Sequence, residues 1–232
     1  MHDVLIRPYE ALDREGVFQL AADTAFFGRP LETYLDDRRL FCDAFYSYYT
    51  DFEPEHAWVA CVDGVVVGFL MGCVNGARQR RVWLKRILPR VARQLLQGRY
   101  KIGVRTWRHA LRLGVAALQG RPHVSMQIYP AHLHLNVASA WRREGIGRRL
   151  LLAFLQQMRN LGVTGVHANS TSLNREAGRL FESMGFRVAD SRPTRQWSGL
   201  VPGSASKVCY VLGLKCSRRP QLGERRRGSC AG

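Results

Sequence analysis

Apolar residues recur along this chain with two different periods. Short β-branched runs predict strands over residues 4–9, 56–62, 65–74, 124–137, 163–169, 186–189 and 207–214. Apolar positions three and four apart predict helices over residues 13–22, 31–46, 80–97, 104–118, 145–159 and 173–184. Asp63-Gly64 between the second and third runs is a tight-hairpin signal, and Pro130 is expected to bend the long strand. Leu150, Leu151, Phe154, Leu155 and Met158 have the spacing of a packed helix face. Phe41, Phe45, Tyr46, Tyr48, Tyr49 and Phe52 read first as core and second as a pocket wall.

Composition narrows the class. With 232 residues and 46% apolar content, the chain can bury one sizeable core. No apolar run reaches the roughly 18 residues that span a bilayer, and residues 1–7 lack the cationic and apolar regions of a signal peptide. A soluble cytoplasmic protein is the expectation. The six cysteines contain no Cys-x-x-Cys pair; Cys61 and Cys73 sit in apolar runs and are expected to pack rather than react.

Charge is distributed unevenly. Thirty-five Lys and Arg against 18 Asp and Glu give +17, and no acidic residue occurs between Asp63 and Glu144. Such an excess attracts phosphorylated ligands, anionic lipid or nucleic acid without naming one. Residues 77–122 form two amphipathic basic helices divided by residues 98–103, and a basic tail over residues 215–232 is expected to be disordered.

The stretch Arg142-Arg143-Glu144-Gly145-Ile146-Gly147-Arg148-Arg149 follows one predicted strand and opens a helix. Amides at a helix start have no intrahelical partner, and the helix dipole adds partial positive charge there. With flanking arginines, the position suits a pyrophosphate. There is no third glycine for a dinucleotide fingerprint and no Gly-Lys-Ser/Thr for a P-loop.

This Arg/Gln-x-x-Gly-x-Gly/Ala pattern resembles the phosphate motif of the GNAT superfamily of N-acetyltransferases. The resemblance extends from the preceding Leu135-Asn136-Val137-Ala138-Ser139-Ala140-Trp141 to a second signature at residues 174–186, where Asn174 opens a helix and Gly185-Phe186 ends it. Residues 130–134 are also similar to the acetyltransferase-like domain beside some O-GlcNAc hydrolases. The likeness implies an α/β (α+β) GNAT acyl-CoA acyltransferase fold: a mixed, mostly antiparallel central sheet with helices on both faces, as one domain over residues 1–214. Residues 77–122 would then be a helical insertion between core strands three and four. A lid is the preferred role for it, with an adhesive surface for anionic membrane or nucleic acid and an oligomerisation hairpin left open.

The resemblance also implies acetyl-CoA as acyl donor and an amine, small-molecule or peptide, as acceptor. Arg142, Arg143, Gly145, Ile146, Gly147 and Arg148 would hold the pyrophosphate, mainly through main-chain N–H groups. Leu135, Asn136 and Val137 would pair with the amide-bearing arm as an added strand. Asn174 would reach the arm or the adenosine side, besides serving as an N-cap. Strand alternation puts His132, His134 and Asn136 on one face, so both imidazoles are candidate bases, with His134 preferred; a structural histidine is the alternative. Many family members carry a tyrosine acid where this chain has Phe181, which leaves Tyr129, Tyr210, water or an unassisted thiolate. An acyl-CoA-dependent N-acyltransferase acting by direct attack in a ternary complex leads. A catalytically silent coenzyme-binding module and a basic membrane- or nucleic-acid-binding protein are the alternatives. No metal site and no nucleic-acid motif is indicated, and a homodimer stays open.

Overall fold

The computed structural model describes residues 3–214. Asp63 and Gly64 both have positive φ, 48° and 80°, which lets a two-residue turn follow the twist of the strands it joins, β2 (Ala57–Val62) and β3 (Val65–Cys73). With β1 (Leu5–Pro8), β4 (Ala131–Val137), β5 (Gly165–Thr171), β6 (Arg187–Thr194) and β7 (Ala205–Gly213) they form a seven-stranded sheet in the order β1-β2-β3-β4-β5-β7-β6. Every pairing is antiparallel except β4 with β5. The mixed, mostly antiparallel sheet expected from the sequence is therefore present. The strand predicted from residue 124 begins only at Ala131, because the amides of Ile128 and Tyr129 turn back onto the Ser125 carbonyl at 3.2 and 2.9 Å.

Helices cover both faces. On one lie α1 (Arg14–Thr24), α2 (Arg38–Phe45) and α3 (Ser47–Asp51), whose Val17, Phe41, Tyr48 and Tyr49 share a core with Phe69 and Met71 of β3. The insertion between β3 and β4 contributes α4 (Gly76–Val82), α5 (Leu88–Leu96) and α6 (Val104–Leu118). On the other face lie α7 (Ile146–Asn160), the crossover that a parallel β4–β5 pair requires, and α8 (Arg175–Ser183). Leu150, Leu151, Phe154, Leu155 and Met158 of α7 are all buried there, as their spacing predicts. A Cβ at Gly72 of β3 would lie 2.2 Å from the Phe154 ring, so the glycine sets how closely α7 approaches the sheet.

Two helix predictions need correction. Residues 31–46 form no single helix: a 3-10 turn at Leu31–Thr33 is followed by irregular chain, and α2 starts after Asp37, whose side chain accepts from the Leu40 amide at 2.7 Å. The first insertion helix starts earlier than residue 80, because Asn75 caps it by accepting from the Ala77 and Arg78 amides. It then widens into a π turn at Trp83–Ile87, where the Leu88 amide reaches the Trp83 carbonyl just before Pro89, a residue with no N–H to give.

The broken segment at residues 34–37 exists to hold the acid-free insertion. Asp36 accepts from the Gly103 and Thr106 amides at 3.0 and 2.9 Å and so caps α6 from another part of the chain; Asp37 accepts from the Lys101 amide and Asp43 from the Tyr100 hydroxyl. These hydrogen bonds hold the Asp36 carboxyl below its ordinary pKa range. Among the described residues no helix is long and apolar enough to cross a membrane. Cys42, Cys61, Cys73 and Cys209 are unbridged and buried, which pushes the Cys42 thiol up to about 12 and Cys61 in the same direction, as suits packing residues. The tail over residues 215–232, with Cys216 and Cys230, lies outside the described residues. Replacing Asp36→Ala is expected to speed amide hydrogen exchange across Val104–Leu118 while leaving β2–β3 protected; exchange mass spectrometry reads both regions at once.

Candidate active site

The junction between β4 and α7 is shaped by two residues in the left-handed region. Arg143 has φ 68° and Gly145 φ 73°, and between them they turn the chain out of the sheet and into the helix. Gly145 has open space where a Cβ would lie, so the backbone angle alone calls for glycine. Gly147 is small for the opposite reason: its Cβ would sit tightly, 3.3 Å from Leu180 and 3.4 Å from Leu135, where the helix start presses on β4 and α8. No side chain caps α7, and its first ladder bond, from the Arg149 amide to the Gly145 carbonyl, leaves the amides of Ile146, Gly147 and Arg148 without an intrahelical acceptor. Arg148 is exposed, Arg143 reaches Glu176 at 3.6 Å, and Arg142 donates from Nε to the Val137 carbonyl at 3.2 Å. The Arg142 guanidinium also lies against Gly28, where a Cβ would meet its nitrogen at 2.3 Å.

A notch leads away from this helix start. β4 and β5 pair at only two positions, Ala131 with Val166 and His132 with His167, after which they diverge. β4 stays paired with β3 to Val137, and β5 with β7 to Thr171, so the divergence opens the middle of the sheet and leaves its sides intact. Since the Ala138 amide donates to Val67 of β3, alternation turns the main-chain groups of His134 and Asn136 toward β3 and those of Leu133, Leu135 and Val137 into the notch. Of the three residues expected to pair with a ligand arm, Leu135 and Val137 thus present main-chain groups to the opening, whereas Asn136 does not. Its side chain instead donates to Thr24 Oγ1 of α1 at 2.5 Å. Asn174 caps α8 through the Ala177 amide at 3.2 Å.

His132, His134 and Asn136 share the face toward α1 and α3, as alternation predicts. His132 Nε2 is 2.7 Å from the Tyr49 hydroxyl, and its ring lies 5.4 Å from that of His167, whose Nδ1 bonds the Tyr129 carbonyl. Desolvation and the neighbouring histidines push His132 well below the ordinary value of about 6.5. His134 is flanked by the rings of Tyr46, Tyr49 and His132 within 6.1 Å, yet the residue stays exposed. This is the floor of a crevice; burial lowers its pKa to about 4, and the open surface means that water softens the shift. Both rings are neutral at pH 7 and able to accept a proton.

Two partners went unassigned in the sequence. Tyr49 falls in the aromatic run, and it is both core and site wall, its ring buried and its hydroxyl on His132. His167 is a lone imidazole in an apolar strand, its only signal. Phe181 is buried against Phe186 and Tyr210 and carries no acidic proton. The Tyr210 hydroxyl stands over Gly178 of α8, and its residue pairs with Ala168, the first position of β5 past the point of divergence. Tyr129 lies beyond the closed end of the notch against Gly165, its hydroxyl accepting from Arg187. A separate cavity of about 490 Å³ opens between the β6–β7 loop and the end of α6, lined by Gln119, Thr194, Arg195 and Trp197; it contains neither histidine nor the glycine loop.

The family model described as an acetyltransferase (GNAT) domain matches residues 41–204. The chain belongs to the GNAT superfamily. As such it is an acyltransferase of the N-acetyltransferase class, whose fold binds acyl-CoA. The sheet resembles that of SsHAT, with 24% identity and a TM-score of 0.66 over 91% of this chain and 98% of that one. It also resembles a Drosophila melanogaster polyamine N-acetyltransferase, with 19% identity and a TM-score of 0.58 over 91% of this chain and 100% of the other. YncA, a putative acetyltransferase from Salmonella typhimurium with its cofactor acetyl-CoA, gives 15% and 0.54 over 95% and 99%. Among curated proteins, none matches the sequence.

In a pH titration followed by NMR, the C2–H resonances of His134 and His132 are both expected to move with midpoints below that of an exposed histidine, His132 the lower of the two. Tyr49→Phe, which removes the His132 partner, should alter the His132 shift more than that of His134.

Proposed function

We propose that this GNAT domain moves an acetyl group from acetyl-CoA to an amine acceptor by direct attack in a ternary complex. The observation that carries the proposal is the alignment of the β4–β5 notch with the uncapped start of α7. The donor is a long molecule, with a diphosphate at one end and a thioester at the end of an amide-bearing arm. The amides of Ile146, Gly147 and Arg148, with Arg142, Arg143 and Arg148 nearby, suit the diphosphate. The main-chain groups of Leu135 and Val137 suit the arm as an added strand. Asn174, with its oxygen used as a cap, retains its amide N–H₂ for the same ligand.

Transfer needs a neutral amine, a proton acceptor and a proton for the departing thiolate. His134, neutral at pH 7 and open to the crevice, is the acceptor in this reading, directly or through one water. An amine becomes strongly acidic only as its new bond to the carbonyl forms, so a weak base is sufficient at that stage. His132, held by Tyr49, fixes the neighbouring wall. Tyr210 is the proton donor best supported by register: burial raises its pKa, so it keeps its proton at neutral pH, and it borders the divergence of β4 and β5. The insertion acts as a fixed wall on the acceptor side rather than a free lid, since the Arg195 amide donates to Gln119 Oε1 at 2.7 Å and ties α6 to the β6–β7 loop.

Calorimetry with acetyl-CoA is expected to give saturable binding that Gly147→Glu abolishes in a variant still folded by its melting curve. A thiol-release assay over a panel of amines should then show His134→Ala lowering kcat/KM by about 100-fold with donor affinity unchanged, and Tyr210→Phe lowering kcat by about tenfold. Donor binding that ignores Gly147→Glu sinks the phosphate site. Binding with no turnover on any amine would leave a coenzyme-binding module instead.

A further inference from the structure

The outer surface of the insertion is not used by the reaction. On α6, Val104, Trp107, Leu111, Val115 and Leu118 are spaced three, four, four and three residues apart, so they form one stripe along the helix. All are exposed: Val104 64%, Trp107 69%, Leu111 71%, Val115 38% and Leu118 89%. The opposite side holds the buried His109 and Ala116, against Tyr34 and Trp197, so the stripe faces away from the protein. At about 100° per residue, Arg108, Arg112 and Arg105 fall together along one flank of it. The preceding helix repeats the pattern, with Leu84, Leu88, Leu95 and Leu96 exposed among Lys85, Arg86, Arg90 and Arg93.

Single exposed leucines are ordinary on a folded surface, but a continuous stripe containing tryptophan is not. Charge decides what covers it. Residues 77–122 hold thirteen Lys and Arg and no acidic residue, and the carboxylates that touch the insertion, Asp36, Asp37, Asp43 and Asp51, belong to the segments beneath it. A second copy placed stripe to stripe would bring arginine rows together with no carboxylate of the insertion between them. A nucleic acid would meet the arginines and leave leucine and tryptophan in water. An anionic bilayer satisfies both, with acyl chains for the stripe and headgroup phosphates for the guanidinium groups.

We propose that α6 lies in the interface of an anionic lipid membrane, apolar stripe inward, and that the basic insertion holds the domain at that surface. Among the five tryptophans of the sequence Trp107 is the exposed one, the other four being half-buried, which makes it a reporter.

Sedimentation of the full-length protein with vesicles tests this. Vesicles of phosphatidylcholine and phosphatidylglycerol should bind it with a blue shift in tryptophan emission that Trp107→Phe removes; phosphatidylcholine alone should bind it at least about tenfold more weakly. Leu111→Asp with Leu118→Asp should lower partitioning at least about tenfold while the melting temperature and acetyl-CoA binding stay as in the parent protein. Because coenzyme binding is read separately, loss of the acetyltransferase reading and loss of this one are distinguishable. Vesicle binding that survives the double substitution overturns the proposal. So does a solution dimer that the double substitution dissolves, or duplex DNA binding as tight as vesicle binding and indifferent to Leu111→Asp.

Discussion

Two strands that pair for only two residues set the architecture. Had β4 and β5 continued their parallel ladder beyond His132 and His167, their main-chain groups would satisfy each other and the sheet would be closed. Their divergence is tolerated because each strand keeps a full antiparallel neighbour on its outer side, β3 for one and β7 for the other. The crossover helix α7, packed by Leu150, Leu151 and Phe154, bridges the gap on one face and aims its own unpaired amides at its mouth. A backbone deficit in the sheet and another at a helix end are thus brought together, and a ligand rich in amide and phosphate oxygens can fill both.

The histidine cluster depends on the same opening. His132 sits at the last paired position and His134 two residues further, so the imidazoles step from a closed wall with Tyr49 into the crevice. Their neutrality follows from packing: burial among the rings of Tyr46, Tyr49 and His167 disfavours the charged form.

Local signals made much of this legible from residues alone. The Asp63-Gly64 hairpin, the α7 core face and the two signature loops are specified by short-range chemistry: turn angles, helical spacing and uncapped amides. The likeness to a known family then supplied the expectation of a mixed, mostly antiparallel sheet and of a fold that binds acyl-CoA. What was not legible came from distant segments meeting. Within the helix expected over residues 31–46, Asp36 instead accepts from the Gly103 and Thr106 amides at the start of α6, and Asp37 accepts from the Lys101 amide while capping α2. Asn136 shares a face with the histidines as alternation requires, but that its amide would belong to Thr24, and its main chain to β3, depends on which side of the strand the notch opens. The π turn at Trp83–Ile87 shows how a single proline shifts a helical register without ending the helix.

Gly28 has a consequence beyond its own turn. Its φ of 84° and the Arg142 guanidinium packed on its bare α-carbon make the loop after α1 and the loop before α7 two halves of one joint. A side chain there would have to displace the arginine head and adopt a backbone angle that favours glycine, so the two loops cannot change independently of each other. Exchanging the region after α1 would therefore disturb the entry to α7 as well, unless the transplanted piece keeps a glycine at that contact.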